Sequence, residues 1–506
     1  MTVNRMVTIQ QLDEIRLKFE ELSGLRGVQH ETKKTVDGLV LVLRVSHVPK
    51  RLYGFLNAAI ASVVPNGSAS GAVATLSKLP KSNLLDGPEA KLLVRTLSET
   101  QNVSRHSFPE DFFERYTYSV GGAEEPIVAN ANHIVFGRRG AGKSMLLLYA
   151  LNKVAQKDSV CVWVDVQLFN GRDDERVCAD IVSQILLELS AVTGDSIELK
   201  NIVDELDNEN INLKKIRTLL PRIKRYMSGL SQNKPVYIFL DDFHVLDQSL
   251  QPIVLDVIYS FSRGSNVYIK MSAIETLTNT YDAINKVGLE ISQDVQALRL
   301  DNNLTTPDKT FEHLQKILDA HANYACLPSV RRLCSSTDVL PRLTWVSAGV
   351  PRDAMNLFAQ AIRKAVAEDK KQVTVSNVNM ASSETLTAKM RDLELDASDQ
   401  ATALKDELER IKKFCIYENK NNAFLVEILP GNISFANINE LVQMRLLHVI
   451  SEGITPGDAG KKFKALILDY GLYTGIRAAQ SVELFNQKTD KASYRELRTL
   501  PTYKIK

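Results

Sequence analysis

Ile134-Val135-Phe136-Gly137-Arg138-Arg139-Gly140-Ala141-Gly142-Lys143-Ser144 decides how this chain is read: a short apolar strand runs into the pattern G-x-x-x-x-G-K-S and then into a helix. A glycine-rich turn of this kind lets successive backbone N–H groups converge on a phosphate chain, and the following helix adds the positive end of its dipole. Lys143 would reach the β- and γ-phosphates while the Ser144 hydroxyl would ligate Mg²⁺. The flanks agree, with Ile134 to Phe136 reading as a buried parallel strand and Met145 to Leu148 as the buried start of a helix. The candidate nucleotide-binding residues are therefore Gly137, Arg138, Arg139, Gly140, Ala141, Gly142, Lys143, Ser144 and Met145. The stretch predicts a site for a nucleoside triphosphate.

Further along, Pro235-Val236-Tyr237-Ile238-Phe239-Leu240-Asp241-Asp242-Phe243 is an apolar run ending in two carboxylates, the Walker B pattern. A buried parallel strand delivers its C-terminal residues to the crevice where ligands sit, so Asp241 would hold the Mg²⁺ shell and Asp242 would face the attacking water. Val160 to Val166 reads as a second apolar strand and Asn266 to Ala273 as one lying beside the Walker B strand. Ser272, near its end, is a candidate to reach the γ-phosphate or the water; a plain helix N-cap is the alternative. Gln296 to Asp301 fits a last strand. Helical spacing marks 176–191, 213–227 and 310–320.

Composition narrows the class. The chain has 506 residues, 44% of them hydrophobic and 24% charged, and a net charge of +2 from 62 basic and 60 acidic side chains. It is long enough for several folded domains and carries no global basic field, so any nucleic-acid surface must be local. The five cysteines show no C-x-x-C spacing and are expected to be reduced and partly buried. Neither a signal peptide nor an apolar run of the roughly twenty residues needed to span a membrane is found, so a cytoplasmic protein without membrane contact is expected. Ahead of the P-loop, 10–22 reads as an amphipathic helix, 39–43 as a buried strand or short core helix, 66–71 as a loop and 89–97 as a short helix. The aromatics at 108–116 fit packing at a sheet edge better than base stacking.

At Ser347-Ala348-Gly349-Val350-Pro351-Arg352-Asp353-Ala354 a G-x-P-R segment opens an amphipathic helix. Together with the P-loop and the Asp241-Asp242 strand, it resembles the lid of AAA+ ATPases of the origin-recognition and replication-initiator type. The resemblance implies an α/β fold, a P-loop NTPase (AAA+) core with a parallel sheet, an α-helical lid and a C-terminal winged-helix domain. It also implies ATP with Mg²⁺ as ligands, hydrolysis of ATP to ADP and phosphate, and Arg352 touching the γ-phosphate beside Lys143, Asp242 and Ser272 as catalytic residues. On this reading 1–106 is an N-terminal region of unknown role, 107–305 the nucleotide-binding domain, 306–395 the lid and 396–506 the winged helix.

In the last region, 401–416 and 438–449 read as helices and Lys461 to Tyr473 as an apolar strand introduced by lysines. Arg445, Lys461, Lys462, Lys464 and Arg477 are candidate contacts to the phosphates of duplex DNA. A solvated turn or a protein-contact surface remains the alternative. Two departures stand out: Asp242 replaces the longer Glu usual in fast ATPases, and Arg299 is only a weak match to an arginine finger. They point to slow turnover and bring in a related class, the STAND ATPases, which use nucleotide as a signalling switch, recruit protein effectors and serve in antiviral defence. A homo-oligomer is expected in either case.

Overall fold

The structure, a computed structural model, describes residues 7–35, 38–64, 73–79, 84–100, 112–172, 174–194, 196–300, 304–396, 401–455, 460–474, 482–485, 489–490 and 492–505. The loop read at 66–71, the aromatic residue at 108 and Arg477 lie outside the described residues. Two compact units form, Met1–Thr117 together with Asn303–Lys506, and Tyr118–Asn302.

The first unit begins with α1 (Ile9–Ser23), which starts on a reciprocal Thr8–Gln11 capping box and ends at Gly24 with φ 72°. Its stripe of Leu12, Ile15 and Phe19 is buried. β1 (Gln29–Thr35) pairs antiparallel with β2 (Gly38–Val45), and α2 (Lys50–Val63) returns the chain to β3 (Ala74–Lys78), parallel to β2. The apolar run at 39–43 is thus the central strand of a three-stranded sheet. Glu89, fully buried in the first turn of α3 (Pro88–Glu99), is satisfied by the Ser46 N–H at 2.5 Å and hydroxyl at 2.6 Å.

The second unit carries α4 (Glu124–Ile127), β4 (His133–Phe136), α5 (Lys143–Ala155), β5 (Val160–Asp165), α6 (Arg176–Thr193), α7 (Ile197–Leu206) and α8 (Leu213–Leu230). β6 (Val236–Asp241), α9 (Gln251–Ser262), β7 (Val267–Ala273), the small hairpin β8 (Tyr281–Asp282) and β9 (Val287–Gly288), and β10 (Gln296–Arg299) complete it. Five strands form a parallel sheet in the order β10-β4-β7-β6-β5. β4 and β6 are almost wholly buried along their length, as their unbroken apolar runs require. Lys270, fully buried in β7, donates to the carbonyls of Ala129 at 2.6 Å and Ala131 at 2.8 Å, fixing the entry to the P-loop strand.

The chain then rejoins the first unit with α10 (Pro307–Tyr324), α11 (Val339–Val346), α12 (Pro351–Ala367) and α13 (Val375–Asp396). α3 packs on α10 and α12, so segment 1–106, read as a region by itself, shares one hydrophobic core with these helices and the C-terminal part. That part consists of α14 (Ala401–Lys412), β11 (Ala423–Glu427), α15 (Ile433–Gln443), β12 (Leu447–Ile454), β13 (Phe463–Leu468), α16 (Tyr494–Arg498) and β14 (Thr502–Tyr503). Helix, strand, helix and the β12–β13 hairpin make a winged helix, its sheet ordered β12-β13-β11-β14. The helix expected over 438–449 ends at Gln443, because Arg445 takes a left-handed turn at φ 60° and residues from Leu447 enter β12. The strand expected over 461–473 stops at Leu468, where buried Asp469 accepts a hydrogen bond from the Gly471 N–H at 2.9 Å and starts a turn.

Candidate active site

The P-loop leaves β4 and enters α5 through Gly140 and Gly142, at φ 81° and 98°, a conformation that side chains with a Cβ avoid. Arg138, Ala141, Ser144 and Met145 are half-buried along this turn and Arg139 is exposed. Lys143 folds back over the loop, its Nζ donating to the Arg138 carbonyl at 3.4 Å.

Around Asp241, at the end of β6, three elements converge. The Ser144 hydroxyl donates to Asp241 Oδ1 at 3.1 Å and the Ser272 hydroxyl to the same oxygen at 2.5 Å. The Asp242 N–H reaches both Asp241 Oδ1, at 3.1 Å, and Ser272 Oγ, at 2.9 Å. Burial, and after it the charge of Asp242, pushes the Asp241 carboxyl up from 3.8 to about 6, against the hydrogen bonds of Ser272 and Ser144 and the charge of Lys143. A buried carboxylate pressed by a second one, with a serine hydroxyl at hydrogen-bond distance, is an environment that a cation would relieve. Ser144 and Asp241 therefore fit Mg²⁺. Among the described residues no three or more His, Cys, Asp or Glu side chains gather around a common point.

Ser272 lies within β7 rather than capping a helix; the short turn after it has Ile274 at its N-cap. Asp242 has left-handed backbone angles, φ 55° and ψ 42°, between β6 and the turn Phe243–Val245. This places its carboxylate 3.9 Å from Nδ1 of His244, whose side chain is 5% exposed. Burial pushes the imidazole down to about 4; Asp242 opposes that shift, and Lys143 and Arg139 add to it. His244 escaped the reading of the sequence. Its signal there is the spacing D-D-x-H at the end of the Walker B strand.

A P-loop follows β4, and β7 is interposed between β4 and β6, the strand that ends in Asp241, in an all-parallel sheet; a helical layer and a winged helix follow in sequence. The fold is that of an AAA+ ATPase. No family model and no curated protein matches the chain. Similar solved structures include the Orc1 protein of Aeropyrum pernix in complex with DNA, at 15% identity over 74% of this chain and 92% of that one, TM-score 0.38. Cdc6p from Pyrobaculum aerophilum matches at 12% identity over 76% and 97%, TM-score 0.36. A Walker-type ATPase of Pyrococcus abyssi matches at 11% identity over 76% and 99%, TM-score 0.43. The fold assignment rests on the strand order and connections of this chain itself.

The remaining candidate residues are dispersed. Arg352 is exposed in the first turn of α12, in the unit that does not contain the P-loop. Its neighbour Asp353 binds Arg445, whose Nη1 lies 2.9 and 2.8 Å from the two carboxylate oxygens. Arg445 is thus corrected from a phosphate contact to an internal tie, because the left-handed turn aims its guanidinium at α12. Lys461 faces Glu427 at 3.5 Å, and Lys464 faces Glu452 at 3.1 Å. Lys462 is exposed, and α15 itself contains no Lys or Arg. Arg299 is held by Glu275 through Nε at 3.1 Å and Nη2 at 2.6 Å. Among the described residues no helix is long and apolar enough to cross a membrane.

Proposed function

We propose that the protein binds MgATP, hydrolyses it slowly, and uses the nucleotide state to govern engagement of duplex DNA by the winged helix. The carrying observation is the convergence of Ser144, Ser272 and the Asp242 N–H on one oxygen of Asp241. Bound Mg²⁺ would neutralise phosphate charge, held by Ser144 and Asp241. Lys143 would stabilise the γ-phosphate oxygens, Asp242 would orient the attacking water, and Ser272 would keep Asp241 in place. Arg352 is the proposed lid contact to the γ-phosphate. Slow turnover follows from the short Asp242 side chain on a constrained backbone. Lys461 and Lys462, just ahead of β13, are the proposed phosphate contacts, with Lys464 secondary to its ion pair.

The test is fluorescence anisotropy of a labelled duplex with ATP, ADP or no nucleotide across a salt series, on the wild type and Lys143→Ala. Binding that depends on nucleotide and weakens as salt rises is expected, and its loss in Lys143→Ala. Absence of salt-dependent binding in every nucleotide state overturns the DNA reading.

A second reading is favoured by the bare surface of α15 and the acids facing Arg445, Lys461 and Lys464. It is a STAND-like switch, as in antiviral defence, in which the nucleotide is a conformational ligand and the winged helix recruits a protein effector. Function lost in Lys143→Ala yet kept in Asp242→Asn would select it. Mass photometry with ATP tests the homo-oligomer expected under both readings.

A further inference from the structure

We infer that His244 is a positioning residue for hydrolysis, donating from Nδ1 to the Asp242 carboxylate once MgATP is bound and thereby setting that carboxylate on the attacking water. The inference rests on the ATPase reading and deepens it.

The side chain of His244 is 5% exposed, and its Nδ1 meets no hydrogen-bond partner in the described structure. Proteins rarely leave a buried polar atom unmatched, and an exception calls for something that completes it. The group within reach is Asp242 Oδ1, at 3.9 Å, about 1 Å beyond a normal hydrogen bond. The Asp242 backbone cannot drift away, because its N–H is held by Asp241 and Ser272. Its side chain is 36% exposed, however, so a rotation about Cα–Cβ is free to close the gap.

Asp242, Lys143 and Arg139 are the charged groups that act on the ring. Two of them, Lys143 and Arg139, belong to the loop where a phosphate chain would sit, so nucleotide binding changes the charges around Asp242 and His244. In the reaction the water oxygen bonds to the γ-phosphorus. The bond to the bridging oxygen breaks with its electron pair leaving on ADP, and the water proton passes by way of Asp242 to solvent. His244 gains and loses no proton; it fixes the direction of the carboxylate.

The test compares wild type, His244→Asn and His244→Gln as full-length chains, measuring kcat, KM for ATP and equilibrium affinity for MgATP. The Asn amide places its N–H where Nδ1 stands, whereas the Gln amide mimics Nε2 and points past Asp242. Expected is a kcat lowered roughly tenfold to a hundredfold in His244→Gln with KM within about twofold, and kcat within about threefold of wild type in His244→Asn. In an Asp242→Asn background the His244→Gln penalty should shrink to less than about twofold, a coupling that a purely structural role would not produce. Wild-type turnover matched by His244→Gln overturns the inference alone, as does an equal loss in both variants accompanied by weakened affinity. A wild type that binds MgATP without any turnover overturns the ATPase reading and this inference with it.

Discussion

Asp241→Asn should make the nucleotide-free protein more stable while abolishing Mg²⁺-dependent turnover. Burial and the charge of Asp242 raise the Asp241 carboxyl from 3.8 to about 6 in the folded chain. A lift of that size corresponds to about 3 kcal/mol. The native state holds this proton more tightly than the unfolded chain does. The associated stability is therefore fully present below about pH 4 and lost as pH rises through about 6. Asparagine removes the charge yet keeps the acceptor that matters, since the bonds from Ser144, Ser272 and the Asp242 N–H all land on Oδ1. Losing the charge-assisted character of those bonds offsets part of the gain, leaving about 1–2 kcal/mol at neutral pH.

The assay uses the two tryptophans, one in each unit. Trp163 in β5 stacks on Phe239 of β6 at 5.8 Å. In a Trp345→Phe background its fluorescence reports urea unfolding of the Tyr118–Asn302 unit, measured with chelator near pH 5 and pH 7.5. The variant should exceed the parent at the higher pH, and the difference should narrow at the lower one. A less stable variant, or a difference that does not change with pH, would refute the reasoning.

Ser272→Ala removes the 2.5 Å bond to Asp241 and the acceptor for the Asp242 N–H, so kcat should fall about tenfold or more while nucleotide affinity changes by less than about threefold; steady-state kinetics beside equilibrium binding checks it. Asp469→Asn strikes the cluster in which fully buried Asp469 accepts from Lys389 at 2.7 Å and faces buried His448 Nε2 at 3.0 Å. Burial alone would raise this carboxyl, but Lys389 and His448 outweigh it and hold it well below the usual range. Its contribution is therefore present above about pH 4 and lost in acid. Stranding Lys389 should cost about 3–5 kcal/mol by Trp345 fluorescence in a Trp163→Phe background, and adding Lys389→Met should recover most of it.

Much of the candidate site was legible because its signals are local. A strand covered on both sides has to be continuously apolar, so Ile134 to Phe136 and Val236 to Leu240 announce themselves, and the glycine-rich turn between strand and helix has few other uses. The boundaries near 438–449 were not legible. Leu446 to Val449 is a short apolar run that fits a helix or a strand equally well, and only the left-handed turn at Arg445 assigns it to β12. The bond of Ser272 to Asp241, and His244 altogether, were illegible for a different reason. A hydroxyl or an imidazole acquires a role from what it faces, and what they face lies on other strands or across a tight turn.

By itself, then, the sequence determined the glycine-rich turn after β4, the apolar strand that ends in Asp241 and the strands at 160–166 and 266–273, all set by backbone conformation and burial over a few consecutive residues. The tertiary structure decided the partners. It placed Ser144, Ser272 and the Asp242 N–H on one carboxylate oxygen, turned Arg445 from a DNA candidate into a tie to Asp353, and packed α3 on α10 and α12. Such pairings join residues far apart in the chain and depend on which atoms burial brings together, a quantity that no local pattern contains.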